Sequence, residues 1–231
     1  MKFEQTLLPA TLIRRYKRFL ADVQLADGSL LTVHCPNSGS MAGCGEEGSP
    51  VLLSKSDNPR RKYAYTWELV YVNGGWVGIN TIRTNHLVRE AFADGVVGEI
   101  GLVDEIRAEV KVSERSRLDF LLRQGERSIY VEVKNCTLVE NGVAMFPDAV
   151  TTRGAKHLEE LLVLHRAGFG AVIFFCVQRG DGDYFSPAEH VDPVYAESLR
   201  RVVGEGVMVL AYRAEVGPEG VRVVEGMPVR L

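Results

Sequence analysis

Short apolar runs separated by turn sequences fill the first eighty positions of the chain. The runs are "TLIRRYKRFLADVQL", "LLTVHC", "PVLLSK", "AYTWELVYV" and "WVGIN". The first run ends in the turn "ADGS", and Asn73-Gly74 separates the last two, where this dipeptide favours a tight hairpin. Because no helical period of similar strength interrupts the strands, residues 1–80 are predicted to form an all-β barrel of about five strands, most economically an OB-fold.

From residue 81 the apolar pattern changes to a mixture of helix and strand. The segment "NTIRTNHLVREAFADG" carries apolar residues at near-helical spacing. The clearest helix is predicted over "DAVTTRGAKHLEELLVLHRAG", beginning near Thr151 and ending at Gly168. With the intervening strand patterns, residues 81–231 give the order α-β-β-β-α-β-α-β. The sequence therefore predicts an all-β barrel followed by an α/β domain, a mixed α+β chain.

Composition narrows the class of protein. The 231 residues are 46% hydrophobic and 25% charged, typical of an ordinary globular protein. No apolar run approaches the ~18 residues that span a bilayer, and the first residues lack the pattern of a signal peptide, so we expect a cytoplasmic protein with no membrane partner. The four cysteines form no CxxC pair, which argues against a zinc ribbon or a disulfide framework and favours reduced, packed thiols.

The formal net charge of −3 argues against a generally basic nucleic-acid binder, but the charge is unevenly divided. Residues 1–80 hold nine Lys/Arg against seven Asp/Glu, and residues 81–231 hold eighteen against twenty-three. The two units thus carry +2 and −5. In the first unit, basic residues lie beside aromatic ones, a combination that suits phosphates and bases, although Tyr and Trp also fill the core of any barrel. The candidate DNA-binding residues of this unit are Arg14, Arg15, Lys17, Arg60, Arg61 and Lys62.

Charged residues inside two apolar strands are the sharpest chemical signal. In "RSRLDFLLRQGERSIYVEVKNCTL", Asp119 lies in one strand, and Glu132 and Lys134 point to the same face of the next. Two carboxylates on adjacent strands can share a hard divalent cation, with the carbonyl of Val133 as a further ligand. Mg²⁺ or Mn²⁺ is therefore the predicted cofactor. The alternative is that Lys134 only neutralises Glu132 as a structural ion pair.

The helix after these strands adds cations to the candidate site. Its first turns carry Arg153, Lys156 and His157, and cations near a helix N-terminus favour phosphate binding. We expect the three side chains to line the same groove as Lys134. The alternative is a solvated helix face, which position along the helix does not exclude.

The arrangement of helix, three strands, helix and strand, with Asp on the second strand and ExK on the third, resembles the PD-(D/E)xK nuclease superfamily. Four stretches resemble the sugar fermentation stimulation protein family, SfsA, more closely. They are "CPNSGSM" at 35–41, "RSRLDFLL" at 115–122, "YVEVKNCTL" at 130–138 and "FPDAVTTRGAKHLEEL" at 146–161. The resemblance implies an N-terminal OB-fold, a nuclease-like C-terminal domain, and DNA binding linked to regulation of sugar-utilisation genes.

The superfamily pattern implies roles for individual residues. It assigns metal binding to Asp119 and Glu132 and the catalytic role to Lys134, while Glu90 matches an acidic position that some members carry on the first helix. The superfamily is named after a Pro-Asp pair. The corresponding pair in this sequence is Leu118-Asp119, which retains the aspartate. Two hypotheses follow: a Mg²⁺- or Mn²⁺-dependent deoxyribonuclease, or a DNA-binding transcriptional regulator that retains the fold without turnover. DNA is the expected partner in both, and the sequence leaves a homodimer open.

Overall fold

The computed structural model describes residues 1–114 and 116–231, and its first six strands form an OB-like barrel. The strands are β1 Leu8–Tyr16, β2 Leu20–Gln24, β3 Leu30–His34, β4 Pro50–Lys55, β5 Tyr65–Val72 and β6 Gly75–Gly78. Their order is β3-β2-β1-β4-β5-β6, and pairing of His34 in β3 with Thr66 in β5 closes the first five into a barrel. The predicted five-strand barrel is therefore confirmed.

One predicted strand of the barrel is in fact a hairpin. The run "TLIRRYKRFLADVQL" contains both β1 and β2, joined by a turn in which Lys17 and Arg18 have φ values of 49° and 63°. Such values are usual for glycine or asparagine and uncommon for other residues. The sequence carries no turn signal here, which is why the hairpin was not predicted.

The second unit is a mixed α/β domain. After a short 3-10 helix at Thr81–Arg83, its larger elements are α1 Thr84–Ala93, β7 Glu105–Ser113, β8 Ser116–Gln124, β9 Arg127–Cys136, β10 Leu138–Glu140, β11 Val143–Phe146, α2 Thr152–Arg166, β12 Gly170–Val177, β13 Tyr184–Pro187, α3 Pro193–Gly204, β14 Met208–Gly217 and β15 Gly220–Gly226. Six strands form one sheet in the order β15-β14-β12-β9-β8-β7, in which β9, β12 and β14 are parallel. The remaining three, β10, β11 and β13, form a small separate sheet.

Helices cover both faces of the large sheet. On one face Phe92 of α1 packs in a buried cluster with Phe120 and Phe174. On the other, Leu158 of α2 and Leu199 of α3 pack in a second cluster with β12. Thr151 caps α2 by accepting a hydrogen bond from the main-chain N–H of Gly154, so the predicted start of this helix is confirmed.

Four short strands were not predicted. These are β10, β11, β13 and β15. The turn between β10 and β11 is Asn141-Gly142, both with positive φ, so the same dipeptide signal that marked the barrel hairpin was present here. Of the other two strands, β13 is only four residues long, whereas β15 carries the alternation of Val221 and Val223 with Arg222 that could have predicted it.

Buried polar contacts join the two units. The side chain of Arg179, 1% exposed, forms two hydrogen bonds of 2.6 Å to Asp181 and one of 2.6 Å to the carbonyl of Thr137, and it contacts Sγ of Cys44 in the barrel at 3.4 Å. The four cysteines are all buried. At the other end, the main-chain N–H of Phe3 donates to the carbonyl of Glu219, so the first three residues lie on the second unit rather than on the barrel. Within the described ranges no helix is long and apolar enough to cross a membrane.

Candidate active site between the two units

The two candidate carboxylates lie where strands β8 and β9 separate. The ladder between these strands ends at the pair Phe120–Val131, and Asp119 and Glu132 are the next residues beyond it. Asp119 then takes the place of a ladder partner: its Oδ2 accepts a hydrogen bond of 2.7 Å from the main-chain N–H of Val133. The register of this hairpin therefore places the two carboxylates next to each other.

Glu132 is buried, and among the described residues only one of its two carboxylate oxygens has hydrogen-bond partners. Its Oε1 accepts hydrogen bonds from Nζ of Lys134 at 2.5 Å and from Nδ1 of His157. Its Oε2 is buried and has no hydrogen-bond partner among the described residues. A buried carboxylate oxygen without a partner is costly, and it is an available ligand for a cation.

The pKa values of the two carboxyls differ because their surroundings differ. Burial, and then the negative charge of Glu132, raise the pKa of Asp119 to about 6, against the opposing hydrogen bond from Val133. Burial also acts to raise the pKa of Glu132, but His157 and Lys134 together hold it below its usual value. The site thus favours the ionised form of Glu132 and makes ionisation of Asp119 less favourable than it is for a free aspartate.

His157 orients Glu132 instead of facing the groove. Its side chain is buried, and its Nε2 lies 3.5 Å from Nε of Arg153. An acceptor role at Nε2 leaves the proton on Nδ1, which then donates to Glu132. The prediction that His157 lines the groove is therefore wrong: the residue belongs to the buried stripe of α2, whose members are Gly154, His157, Leu158, Leu161 and Leu162.

The other two cationic residues predicted on this helix, Arg153 and Lys156, lie in different surroundings. Arg153 lines the cavity that contains Asp119 and Lys134. Lys156 is absent from the described lining of that cavity, and its Nζ lies 3.6 Å from Glu160 on the outer face of the helix. Of the three predicted phosphate ligands, only Arg153 has the expected position.

Glu90, the fourth predicted metal ligand, lies elsewhere. It accepts a hydrogen bond of 2.6 Å from the α-ammonium of Met1, and its Oε1 is 3.4 Å from Nε2 of His86. The α1 residue that reaches the carboxylates is Asn85, whose Nδ2 donates to Oδ1 of Asp119 at 2.7 Å. Five residues of helix turn the side chain by about 140°, so Asn85 and Glu90 cannot share one target.

A cavity of about 480 Å³ surrounds the carboxylates. Its walls come from both units: the barrel supplies Arg18 and the segment 37–39, and the α/β domain supplies Asn85, strand β9 and the segment 145–151. Val133 and Lys134 lie on the wall formed by β9. Within the described chain, no three His, Cys, Asp or Glu side chains are grouped as a complete metal-binding set. A cation here would therefore need water, carbonyl or phosphate oxygens in addition to the two carboxylates.

Asp148 fastens the barrel wall of the cavity to the other unit. Its Oδ2 accepts a hydrogen bond from the main-chain N–H of Met41 at 3.0 Å, and its carbonyl accepts one from Oγ of Ser40 at 2.6 Å. A Cβ atom added to Gly39 would lie 2.4 Å from Oδ2 of Asp148, so a larger residue at this position would displace the Asp148 carboxylate. Neither Asp148 nor the segment 37–41 was assigned a role from sequence, although both lie in the polar stretches singled out there.

The predicted DNA-binding residues of the barrel have varied surroundings. Arg14 pairs with Asp22 at 2.9 Å, and Arg15 donates to the carbonyls of Asn37 and Gly39 at 2.8 Å each. Trp67 is fully buried in the barrel core, so the structural alternative is correct for that ring. Four exposed cations remain, outside the described lining of the cavity: Lys17, Arg60, Arg61 and Lys62.

The fold and the site together define a class of protein in which an OB-like barrel precedes a mixed α/β domain. In that domain two carboxylates lie where two neighbouring strands separate. A profile described as the SfsA N-terminal OB domain matches residues 13–79, and one described as the sugar fermentation stimulation protein RE domain matches residues 82–220. The chain belongs to the sugar fermentation stimulation protein family, SfsA.

Similar proteins cover the chain from end to end. Sugar fermentation stimulation protein homologs from Geotalea uraniireducens and Geobacter metallireducens are 54% and 57% identical, each over the whole of both chains. Among solved structures, that of Pyrococcus furiosus SfsA in complex with Ca²⁺ has a TM-score of 0.90 and 26% identity, covering 100% of this chain and 98% of that one.

Proposed function

We propose that the protein is a divalent-metal-dependent phosphodiester hydrolase acting on DNA. The observation that carries this proposal is that Oε2 of buried Glu132 has no hydrogen-bond partner among the residues that the structure describes and lies next to Asp119, whose pKa is raised to about 6. Two carboxylates so placed repel each other, and one of them has an oxygen without a donor. A bound cation would remove both costs.

The residues present fit a hard cation. Asp119 and Oε2 of Glu132 would hold it, with the carbonyl of Val133 as the predicted third protein ligand. The Pyrococcus furiosus relative was solved in complex with Ca²⁺, a cation that takes oxygen ligands as Mg²⁺ and Mn²⁺ do. When bound, such a metal lowers the pKa of a coordinated water and stabilises charge on a phosphoryl oxygen.

The chain's own residues supply the remaining chemistry. Lys134, with Nζ 2.5 Å from Glu132, lies at the carboxylates and can offset charge that develops on the phosphate in the transition state. His157 holds Glu132 in a single orientation from behind. Arg153 extends into the same cavity and would neutralise a phosphate oxygen.

One observation favours a second candidate function, a DNA-binding transcriptional regulator without turnover. The contact between Lys134 and Glu132 is a complete ion pair as it stands, which is what a purely structural role would require. This candidate leaves the unpartnered Oε2 of Glu132 unexplained, and for that reason hydrolysis is the preferred proposal.

Incubation of the pure protein with labelled single-stranded and double-stranded DNA, in Mg²⁺, Mn²⁺ or EDTA, tests both candidates. We expect metal-dependent cleavage that falls by about a hundredfold or more in Asp119→Asn and Lys134→Ala. Glu126→Gln, an exposed acid in the turn between β8 and β9, is the matched control and should cleave as the wild type does. DNA binding without cleavage in either metal would favour the regulator instead.

A further inference from the structure

The turn between β1 and β2 places an arginine at the cavity in an unfavourable backbone conformation. Lys17 and Arg18 have φ values of 49° and 63°, which glycine adopts without strain. Strained residues of this kind persist where the surrounding structure holds them, commonly at functional sites. The observation directs attention to what the side chain of Arg18 faces.

Arg18 lines the cavity that contains Asp119, Glu132 and Lys134. Its side chain is exposed, and its guanidinium makes no ion pair or hydrogen bond with any residue that the structure describes. The neighbouring Arg15 differs, because its guanidinium is used up on main-chain carbonyls, including that of Arg18 itself at 3.0 Å. Arg15 therefore supports the turn, and Arg18 remains available to an anion inside the cavity.

Exposed apolar side chains accompany this cation. Phe19 follows the lining residue Arg18 in the chain and is itself outside the described lining of the cavity. Its side chain is 49% exposed, and its carbonyl accepts a hydrogen bond of 2.8 Å from the N–H of Cys35 in the barrel. Val150 lines the cavity and is 72% exposed, and Ile82, 71% exposed, follows the lining residue Thr81. A cation next to an aromatic ring is the combination that binds a phosphate and the base attached to it.

We infer that the cavity takes single-stranded DNA, with Arg18 on a backbone phosphate and Phe19 against an unpaired base. The inference rests on the proposed function and names its substrate. In a duplex the faces of the bases are stacked on one another, so Phe19 can contact a base face only in an unpaired strand.

The position of the carboxylates supports the same substrate. They lie in a cavity whose barrel wall is joined to the opposite wall by the contacts of Asp148 with Ser40 and Met41. A phosphate that reaches Asp119 through this cavity passes between these joined walls. A flexible single strand can do so with less distortion than a duplex, whose two backbones move together.

Fluorescence anisotropy with a labelled strand of mixed sequence, alone or annealed to its complement, tests the inference. Measurements in EDTA prevent metal-dependent cleavage. We expect the wild type to bind the single strand about tenfold or more tightly than the duplex, and Phe19→Ala to lose about tenfold in affinity for the single strand. Leu30→Ala is the matched control, since Leu30 is an exposed apolar residue of the barrel with no chain neighbour among the described lining residues of the cavity.

The Arg18→Gly variant distinguishes a loss of DNA binding from a loss of stability, because it should lower the affinity without lowering the melting temperature. Removal of the cation should weaken single-strand binding and reduce the slope of log affinity against log salt by about 0.7. Relief of the positive φ should leave the melting temperature unchanged or raise it. Arg127→Ala, which removes an exposed arginine on β9, should keep both the affinity and the slope.

Equal affinity for single strand and duplex, or wild-type binding by both Arg18→Gly and Phe19→Ala, would overturn the inference. Because binding is measured without turnover, the two proposals can fail separately. Single-strand binding that depends on Arg18 and Phe19, with no cleavage in any metal, would leave this inference standing and reject hydrolysis. Cleavage that depends on Asp119, with unaltered binding by both turn variants, would do the reverse.

Discussion

The main-chain N–H of Val133 donates a hydrogen bond of 2.7 Å to Oδ2 of Asp119. This contact fixes a side chain of β8 to the backbone of β9 at the point where the ladder between them stops. The carboxylate is therefore oriented by the chain itself, before any cation binds. Preorganisation of this kind would lower the entropic cost of forming the proposed metal site.

The first prediction concerns metal and thermal stability. If Asp119 and Glu132 hold a cation, Mg²⁺ or Mn²⁺ at about a hundred times its Kd should raise the wild-type melting temperature by roughly 5–10 °C, because a ligand of the folded state stabilises it by mass action. Asp119→Asn should lose most of that increase. Lys134→Ala keeps both carboxylates, so its metal response should survive or grow.

Thermal melts of these three proteins, with and without metal, distinguish the metal site from a structural ion pair. Under the ion-pair interpretation, Lys134→Ala would leave Glu132 with less compensation and destabilise the protein. Metal would then have no effect on the wild type. That result would reject hydrolysis in its present form.

The second prediction concerns His157. His157→Ala should lower the free energy of unfolding by about 2–3 kcal/mol, because buried Glu132 loses a charge-assisted hydrogen bond. His157→Asn should recover part of the loss, since its amide can donate from a position close to that of Nδ1. Urea unfolding measures both, with His86→Ala on the exposed face of α1 as control. If the free energy of unfolding of His157→Asn is no higher than that of His157→Ala, His157 stabilises the protein by packing and not by its hydrogen bond.

The third prediction concerns the ion pair of Arg83 with Glu68. Glu68 of β5 is 2% exposed, and Arg83 donates to both of its oxygens, at 2.7 and 2.8 Å. Arg83→Ala should cost about 3 kcal/mol because it leaves a buried carboxylate without its cation, and adding Glu68→Gln should restore much of the loss. Denaturant unfolding gives these values. Arg200→Ala, in an exposed pair with Glu189, should change the free energy of unfolding little, because solvent screens an exposed pair. A similar cost for both arginine variants would contradict the prediction.

The fourth prediction concerns Gly39. Gly39→Ala places Cβ against the carboxylate of Asp148, so this carboxylate or the barrel wall must shift, and we expect a destabilisation of about 1–3 kcal/mol together with reduced DNA cleavage. Gly45→Ala is the control, because the nearest atom to its added Cβ is 3.6 Å away. Differential scanning calorimetry compares the two. In an Asp148→Ala background the cost of Gly39→Ala should shrink, and an unchanged cost would show that the contact is not its cause.

The fifth prediction concerns the connection between β4 and β5. If Arg60 and Arg61 contact backbone phosphates, charge reversal at both should reduce the slope of log DNA affinity against log salt by about two. Both side chains are exposed, so folding should not suffer. Salt titrations of binding provide the slope, with charge reversal at both Arg200 and Arg201, two exposed residues of α3, as the charge-matched control. An unchanged slope would make this stretch structural only.

Local patterns predicted most of the fold, and their limits are physical. The barrel strands and the major helices follow from alternation and helical spacing. The hairpin at Lys17-Arg18 could not be predicted, because its positive φ values occur on residues that give no turn signal. The turn at Asn141-Gly142 did carry the signal, and only the shortness of its strands concealed it.

The candidate site likewise contains some contacts that the sequence could predict and others that it could not. Asp119 and Glu132 could be paired from sequence because a single hairpin sets their register. The contact of Ser40 with Asp148 spans 108 residues, and no local pattern predicts it. Helix phase explains the two errors: Glu90 was predicted as a metal ligand although Asn85 is the α1 residue that reaches Asp119, and His157 was predicted to line the groove although it follows the spacing of the buried stripe.

The buried guanidinium of Arg179 has a consequence for how the molecule comes apart. Its partners include Thr137 and Asp181 in the α/β domain and Cys44 in the barrel, so separating the units would uncover a charged group together with apolar surface. We therefore expect one cooperative unfolding transition for the whole chain. A fragment ending near residue 80 would lose this contact and the pair of Arg83 with Glu68 at once, which makes the barrel a dependent part of the molecule and not a separable module.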